Sequence, residues 1–467
     1  MVLKLYNSLG RKKMVFRPLR GKTVRMYTCG PTVWNFAHVG NFRTFVFDDI
    51  LRRYLEFKGY RVRQVMNITD VEDKIIKGMN QFGMTRQELT SKYEKAFMDD
   101  LVTLNVEKAE SYPRATEHLP EMFALIGRLL ARGFAYRAED GSTYYKVSKF
   151  KSYGKLSGIK LSELKAGARV SSDEYEKQDA SDFALWKAWD ADDGDVSWDS
   201  DFGKGRPGWH IECSAMSMKY LGKSFDIHTG GVDNKFPHHE NEIAQSEAVT
   251  GRPFVRYWLH SAHLMVEGQE MHKSLGNEVT LRNLLSRGWN PLTIRYFLVS
   301  SHYRDQINLT DASLKQAEAS RQRLQDFVGR LQAVDKGTRG PSPARAESML
   351  SEFERSMDDD LNTSAALSAV FSFAKRVNSL IDDKTLGARE AKAALKALAK
   401  VNSVLGVLSF AGEQLESELA ELVKRREEAR KAGDYASADA IRNQLLARGI
   451  ALEDTPGGTV WKKRPTS

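Results

Sequence analysis

Residues 23–41 read TVRMYTCGPTVWNFAHVGN, and this stretch decides the fold. TVRMYT is a short run of β-formers that reads as a strand, and Gly30-Pro31 ends it. His38-Val39-Gly40-Asn41 then opens a helix. The following TFVFDDILRRYLEFKG places Phe47, Ile50, Leu51, Tyr54 and Leu55 at helical spacing, with Gly59 just past the end. RVRQVMNIT is a second strand. A strand, loop, helix and strand in this order predict a parallel pair joined by a right-handed crossover. In such sheets ligands sit at the carboxyl ends of the strands, here near Cys29 to Asn41 and near Thr69.

Outward from this unit the signals change. Residues 115–205 suggest an inserted subdomain of short strands and loops, with the polar GARVSSDEYEKQDASD and the acidic DADDGDVSWDSD. From 206 the alternating pattern returns: RYWLHSAHLM reads as one strand, and LRNLLSRG and PLTIRYFLVSS as helices, Pro291 suiting a first turn. Beyond 310 three long amphipathic segments predict a helical bundle, two of them linked by the breaker-rich KGTRGPSPAR. The final residues predict one helix, ELVKRREEARKAGDYASADAIRNQLLARG, and a hairpin, IALEDTPGGTVWKK.

A chain of 467 residues needs two to four domains. Its 41% hydrophobic and 28% charged residues fit a globular protein, and no apolar run approaches the ~20 residues of a membrane span. The start, MVLKLYNSLGRKK, lacks a secretory apolar stretch, which places the chain in the cytoplasm with no membrane partner. The net charge of +9 suits a polyanionic partner, although a solubilising surface would give the same value.

Three constellations carry chemistry. His38 and Gly40 sit at a helix start that offers free N–H groups to phosphate; a capped helix with an incidental histidine is the plainer account. Lys273, in EMHKSLGN on a predicted loop, could meet charge developing on a triphosphate, or be an ordinary solvated lysine. The only two cysteines, Cys29 and Cys213, read as free thiols or metal ligands more than as a disulfide. His238 and Glu242 are four apart and would share a helix face. The four side chains could form one tetrahedral site of the kind zinc accepts. Spacing alone leaves two small buried cysteines equally open, while seven of the ten histidines falling between His210 and His272 favours a pocket.

HVGN paired with MHKSLGN on an alternating α/β chain resembles class I aminoacyl-tRNA synthetases. YTCGPTVWNFAHVGN, NITDVEDKII, PRATEH, DFALWK, GRPGWHIECSAM, FDIHTGGVDNKFPHHENEIAQSEA and MDDDLNT resemble the cysteinyl-tRNA synthetase family in particular. The resemblance implies a Rossmann-type parallel-sheet catalytic domain in two halves (1–114 and 206–310) around a connective insertion (115–205). A tRNA-contacting helical bundle (311–415) and a small α+β anticodon-binding module (416–467) follow. It implies ATP-dependent activation of L-cysteine and transfer to the 3′ end of tRNA(Cys) by a cytoplasmic enzyme that is mostly a monomer in relatives. Magnesium would accompany ATP, and one zinc ion would be held by Cys29, Cys213, His238 and Glu242. Gly30, Thr32, Thr69, Trp209, His228 and Asp233 fall at cysteine-binding positions. His38, Gly40, Asn41 and Lys273 match the ATP-binding signatures, His38, Asn41 and Lys273 as the catalytic ones. Asp439, Arg442 and Asp454 are candidate tRNA contacts.

Four positions, in three motifs, depart from the family pattern. Asn41 stands where the first signature ends in His, and its amide can still donate. Glu270 and His272 replace a Lys and a Ser of the second signature, and Thr229 replaces a glycine. Two other readings fit some of these residues. One is a ligase joining cysteine to a small amino sugar, against which the C-terminal module speaks. The other is a catalytically dead paralogue that binds zinc or RNA, to which the altered loop points.

Overall fold

The computed structural model describes residues 2–160, 181–271, 276–334, 344–410, 417–448, 450–455 and 458–463. Most of the polar stretch of the insertion, most of the KGTRGPSPAR link, and His272 and Lys273 lie outside the described residues.

The central sheet is parallel, in the order Val255–Ser261, Phe225–Gly231, Thr23–Thr28, Arg61–Met66. Alternation along each strand feeds two cores. Met26, Tyr257 and Leu259 pack with the Val39–Phe57 helix, while Tyr27 and Trp258 pack with the helices Trp209–Leu221 and His238–Thr250. The chain leaves Thr23–Thr28 toward one neighbour through the Val39–Phe57 helix and only later adds strands on the other side. Strand order therefore switches between Thr23–Thr28 and Phe225–Gly231, the place where crossovers diverge and a cleft opens. Cys29, the first residue past the strand, still donates its N–H to the Thr229 carbonyl (3.3 Å).

Four expectations need correction, the first being that the bundle has four helices among the described residues and not three, since Ala344–Asp358 starts at the end of the KGTRGPSPAR link. RYWLHSAHLM is two strands, Val255–Ser261 and Leu264–Val266. The Ala262 N–H leaves the sheet for the Tyr303 carbonyl (2.9 Å), and the second strand pairs in parallel with Ile307–Leu309. The insertion contains, beside its antiparallel sheet Ala135–Arg137, Thr143–Tyr145, Phe183–Ala188, Gly205–Pro207, the helix Leu119–Ala131 with Pro120 in its first turn. The long C-terminal helix is two, Ser417–Lys431 and Tyr435–Ala447; Gly433 turns left-handed (φ 77°) and Asp434 caps the second. The hairpin Ile450–Thr455/Gly458–Lys463 follows as expected.

The bundle helices Asp311–Gln332, Ala344–Asp358, Thr363–Asp382 and Ala388–Leu405 are tied to the sheet domain by Arg295. This fully buried guanidinium donates to the carbonyls of Leu405 (2.8 Å), Leu104 (3.0 Å) and Asn105 (2.9 Å), and to Asp49 (2.5 Å). Among the described residues no helix is long and apolar enough to cross a membrane.

Candidate active site and metal centre

A cleft of about 630 Å³ opens at the strand switch. One wall is the start of the Val39–Phe57 helix. His38 is its N-cap: His38 Nδ1 accepts from the Asn41 N–H (3.3 Å), and Asn41 Oδ1 accepts from the His38 N–H (3.1 Å). Asn41 thus completes a reciprocal cap and keeps its amide N–H₂ as a donor. Burial pulls the His38 pKa down, and with Nδ1 accepting, the neutral ring carries its proton on Nε2. A Cβ on Gly40 would lie 2.6 Å from the Met271 side chain and 3.0 Å from His38 Nδ1, so glycine lets the following loop pack on the helix start.

The floor is built from strand ends. Gly30 N–H donates to Asn67 Oδ1 (2.9 Å), and a Cβ at residue 30 would stand 1.7 Å from the Asn67 carbonyl oxygen, so no other residue fits. Thr32 and Thr69 pair across the gap, and Thr69 Oγ1 donates to the buried Glu212 (3.3 Å).

Opposite lie Cys29, Cys213, His238 and Glu242, whose donor atoms are all within 4.8 Å of one another. The Trp209–Leu221 helix delivers Cys213; the His238–Thr250 helix delivers His238 and Glu242 one turn apart, with His238 Nε2 3.3 Å from Glu242 Oε1. All four are buried. Burial, then Cys213 and Glu242, pushes the Cys29 thiol up; burial pushes the Glu242 carboxyl up and the His238 imidazole down. Without a cation, burial therefore favours the uncharged forms of these three. A divalent ion would displace protons and offset the charges, and two thiols, an imidazole and a carboxylate are donors it accepts. The residues fit a metal.

A second group, Cys29, His228, His239 and Glu242, meets the same distance test and shares two members with the first. The first set lines the cleft with three members, Cys29, Cys213 and His238, and the second only with the shared Cys29. His228 is fully buried behind Glu242 (Nε2 to Oε2 3.0 Å) and does not line the cleft, so it sits where it can orient the carboxylate.

Trp209 begins its helix, is 37% exposed at the cleft and stacks on His238 (centroids 4.1 Å apart). Asp233 lines the cleft beside Gly231. Asp439 and Arg442 are exposed on the Tyr435–Ala447 helix and do not line the cleft, and Asp454 lies in the terminal hairpin. Sequence reading missed the groups behind the donors. His239 Nε2 lies 3.2 Å from Cys29 Sγ, and its Nδ1 2.8 Å from His260, which reaches Ser8 Oγ (2.7 Å). His210 stands 2.9 Å from His238. The His238-His239 doublet was the only local signal for this shell.

Thr229 joins Thr28 by a hydroxyl contact of 3.1 Å. It also faces Asp48, a fully buried carboxyl with no well-formed hydrogen bond. Burial pushes Asp48 up to about 8, a rise the Thr229 hydroxyl only partly offsets. Because the unfolded carboxyl ionises near ~4 and the native one near 8, stability falls as pH rises through that window and levels above it. Asp48→Asn is expected to stabilise, with a gain larger at pH 8 than at pH 5. Equal shifts of the urea midpoint at both pH values would refute a protonated buried Asp48.

Comparison with known proteins is consistent along the chain. The family model for the class I (C) tRNA synthetase catalytic domain matches residues 15–319, that of the DALR domain 352–409, and that of the cysteinyl-tRNA ligase anticodon-binding domain 413–461. A cysteine–tRNA ligase of Chlamydia pneumoniae is 48% identical over 98% of this chain and 97% of its own length. One from Brachyspira hyodysenteriae is 48% identical over 98% and 99%. A crystal structure of Mycobacterium tuberculosis methionyl-tRNA synthetase bound by methionyl-adenylate superposes with a TM-score of 0.62 at 14% identity, covering 82% of this chain and 92% of that one, a likeness of fold. The parallel sheet, the cleft at its switch point and the full-length identity agree: the chain belongs to the cysteine–tRNA ligase family of class I aminoacyl-tRNA synthetases.

Proposed function

We propose that this enzyme activates L-cysteine with ATP to cysteinyl-adenylate and pyrophosphate, then transfers the acyl group to the 3′ end of tRNA(Cys). The observation that carries the reading is the convergence of two thiols, an imidazole and a carboxylate on one wall of a cleft whose other wall is a helix start. The attacking nucleophile is the substrate carboxylate, so the protein needs no nucleophile of its own. Its work is placement and charge stabilisation. The His38 Nε2–H and the Asn41 amide donate toward phosphate oxygens at the helix start, and Gly40 lets the loop approach. Gly30, Thr32 and Thr69 shape the amino-acid floor, Asp233 faces it, and Trp209 covers it from the metal side. His228 acts one step back, through Glu242.

Zinc, one per chain, is the metal that suits Cys29, Cys213, His238 and Glu242; when bound it would favour a thiol, which ionises readily, over an alcohol, which does not. Serine and cysteine differ by one atom, and shape alone separates such pairs poorly. A difference of a few kcal/mol gives several powers of ten. Magnesium accompanies ATP. The reading assigns 1–114 and 206–310 to the two catalytic halves, 115–205 to the insertion, 311–415 to a tRNA-contacting bundle and 416–467 to the anticodon module, with Asp439, Arg442 and Asp454 as tRNA contacts. It also takes the enzyme to be a cytoplasmic monomer. The match of 413–461 to an anticodon-binding domain favours tRNA over an amino-sugar acceptor.

Cysteine-dependent ATP–pyrophosphate exchange, run with serine as control, tests the activation step; charging of tRNA(Cys) tests the acceptor. No exchange would return the dead-paralogue reading. Lys273→Ala is expected to slow exchange by ~10², the scale for removing one charge-stabilising donor. An unchanged rate would take Lys273 out of the mechanism.

A further inference from the structure

Among the described residues that line the cleft, Lys74 is the one lysine or arginine, and the same lining carries three carboxylates, Asp233, Glu270 and Glu278. A cleft of that polarity repels a nucleotide triphosphate unless its cations are well placed. Lys74 lies in the first turn of the Asp73–Phe82 helix, and its side chain is exposed toward the cleft. It shares the electrostatic surroundings of His38 with Glu278 and Asp233. Among the described residues it forms no ion pair.

Its neighbour is clamped. Asp73 Oδ2 binds Lys187 Nζ at 2.9 Å and Asp73 Oδ1 binds Arg206 Nη2 at 2.5 Å. Both cations come from the inserted sheet and are buried, 6% and 4% exposed, and Arg206 is held in turn by Asp193 (2.7 Å). Lys187 and Arg206 together hold the Asp73 pKa down against its own burial. Two buried cations fixed on one carboxylate set the start of this helix, and with it the direction of the next side chain.

We propose that Lys74 is a triphosphate-binding residue of the activation step. It meets the β- and γ-phosphates of ATP from the side of the cleft nearest the insertion. Lys187 and Arg206 are positioning residues that aim it through Asp73. This rests on the activity proposed above. It assigns no covalent role to Lys74, whose ammonium keeps its protons throughout.

The test is cysteine-dependent ATP–pyrophosphate exchange on the full chain with its metal. Exchange by the unsubstituted enzyme is the control; its absence would defeat the activity reading and not this one. Lys74→Met is expected to raise the KM for ATP by ~10-fold or more while leaving the KM for cysteine within about twofold, and Lys74→Arg to recover most of the loss. Lys187→Met is expected to raise the ATP KM by ~3-fold alone but to add nothing in the Lys74→Met background, since neighbours acting through one group are not additive. A merely structural Lys187 would add its effect in both backgrounds. An unchanged ATP KM in Lys74→Met would overturn the assignment. So would normal exchange with a defect confined to tRNA charging, which would give Lys74 to the acceptor end. Should Lys74→Met fold poorly, Lys74→Gln and inhibition by inorganic pyrophosphate give the same reading: pyrophosphate should bind ~10-fold more weakly, and equal binding would sink the idea.

Discussion

Cys213→Ser is expected to release the metal and to lower cysteine-dependent exchange by ~10³-fold or more, because several kcal/mol of thiol-selective binding go with it. Cys213 is 1% exposed and its Sγ is one of four donors within 4.8 Å, so a serine hydroxyl there is a poor substitute in an unchanged cage. Metal analysis and exchange should fall together. The weak activity toward serine should change little, which separates lost recognition from lost folding. Stripping the unsubstituted enzyme of transition metal should likewise erase most of its preference for cysteine. Full metal content in Cys213→Ser, or retained preference in stripped protein, would contradict the ligand set. Because occupation displaces protons from the thiols and Glu242, metal affinity should rise with pH.

Arg295→Met is expected to cost about 3–5 kcal/mol, because it removes one of two cations on the buried Asp49 and leaves three buried carbonyls short of a donor at ~1–3 kcal/mol each. The lost groups are specific: Asp49 keeps Arg53 (2.7 Å), while the carbonyls of Leu405, Leu104 and Asn105 lose a buried donor. Arg295→Lys should recover little, because one ammonium cannot span a planar fork of four contacts. The measurement is the first transition in urea, followed with exchange activity below it. A midpoint within about 0.3 M of the parent would show that these contacts are not needed to hold the bundle on the sheet domain.

The parts of this fold legible in the sequence are those set locally. His38, Gly40 and Asn41 announced the helix start because a cap needs only three or four residues. Pro291 marked another start, and the i, i+4 spacing of His238 and Glu242 put both on one face. Two misses had local signals: Gly433-Asp434 is a stop followed by a cap, and LPEMFALIGRLLA has clear helical periodicity. The rest was set by distant chain. The split strand follows from Tyr303 taking the Ala262 N–H, and nothing near Ala262 announces it. The same holds for Ser8 reaching His260, and for Lys187 and Arg206 converging on Asp73. The family resemblance put His228 at a cysteine-binding position. Strand alternation buries it behind Glu242 instead.

The four proposed metal donors are gathered from both sides of the insertion, and this orders events during synthesis. A nascent chain presents Cys29 early, as a lone thiol with no cage around it. The remaining donors emerge only after the whole insertion has been translated, with Glu242 last. Ribosome-bound chains whose emerged part ends before Cys213 should therefore hold a divalent metal no better than a solitary cysteine does. Capture should begin abruptly once Glu242 has cleared the exit tunnel, which would make the ion a late rivet joining two separately folded pieces.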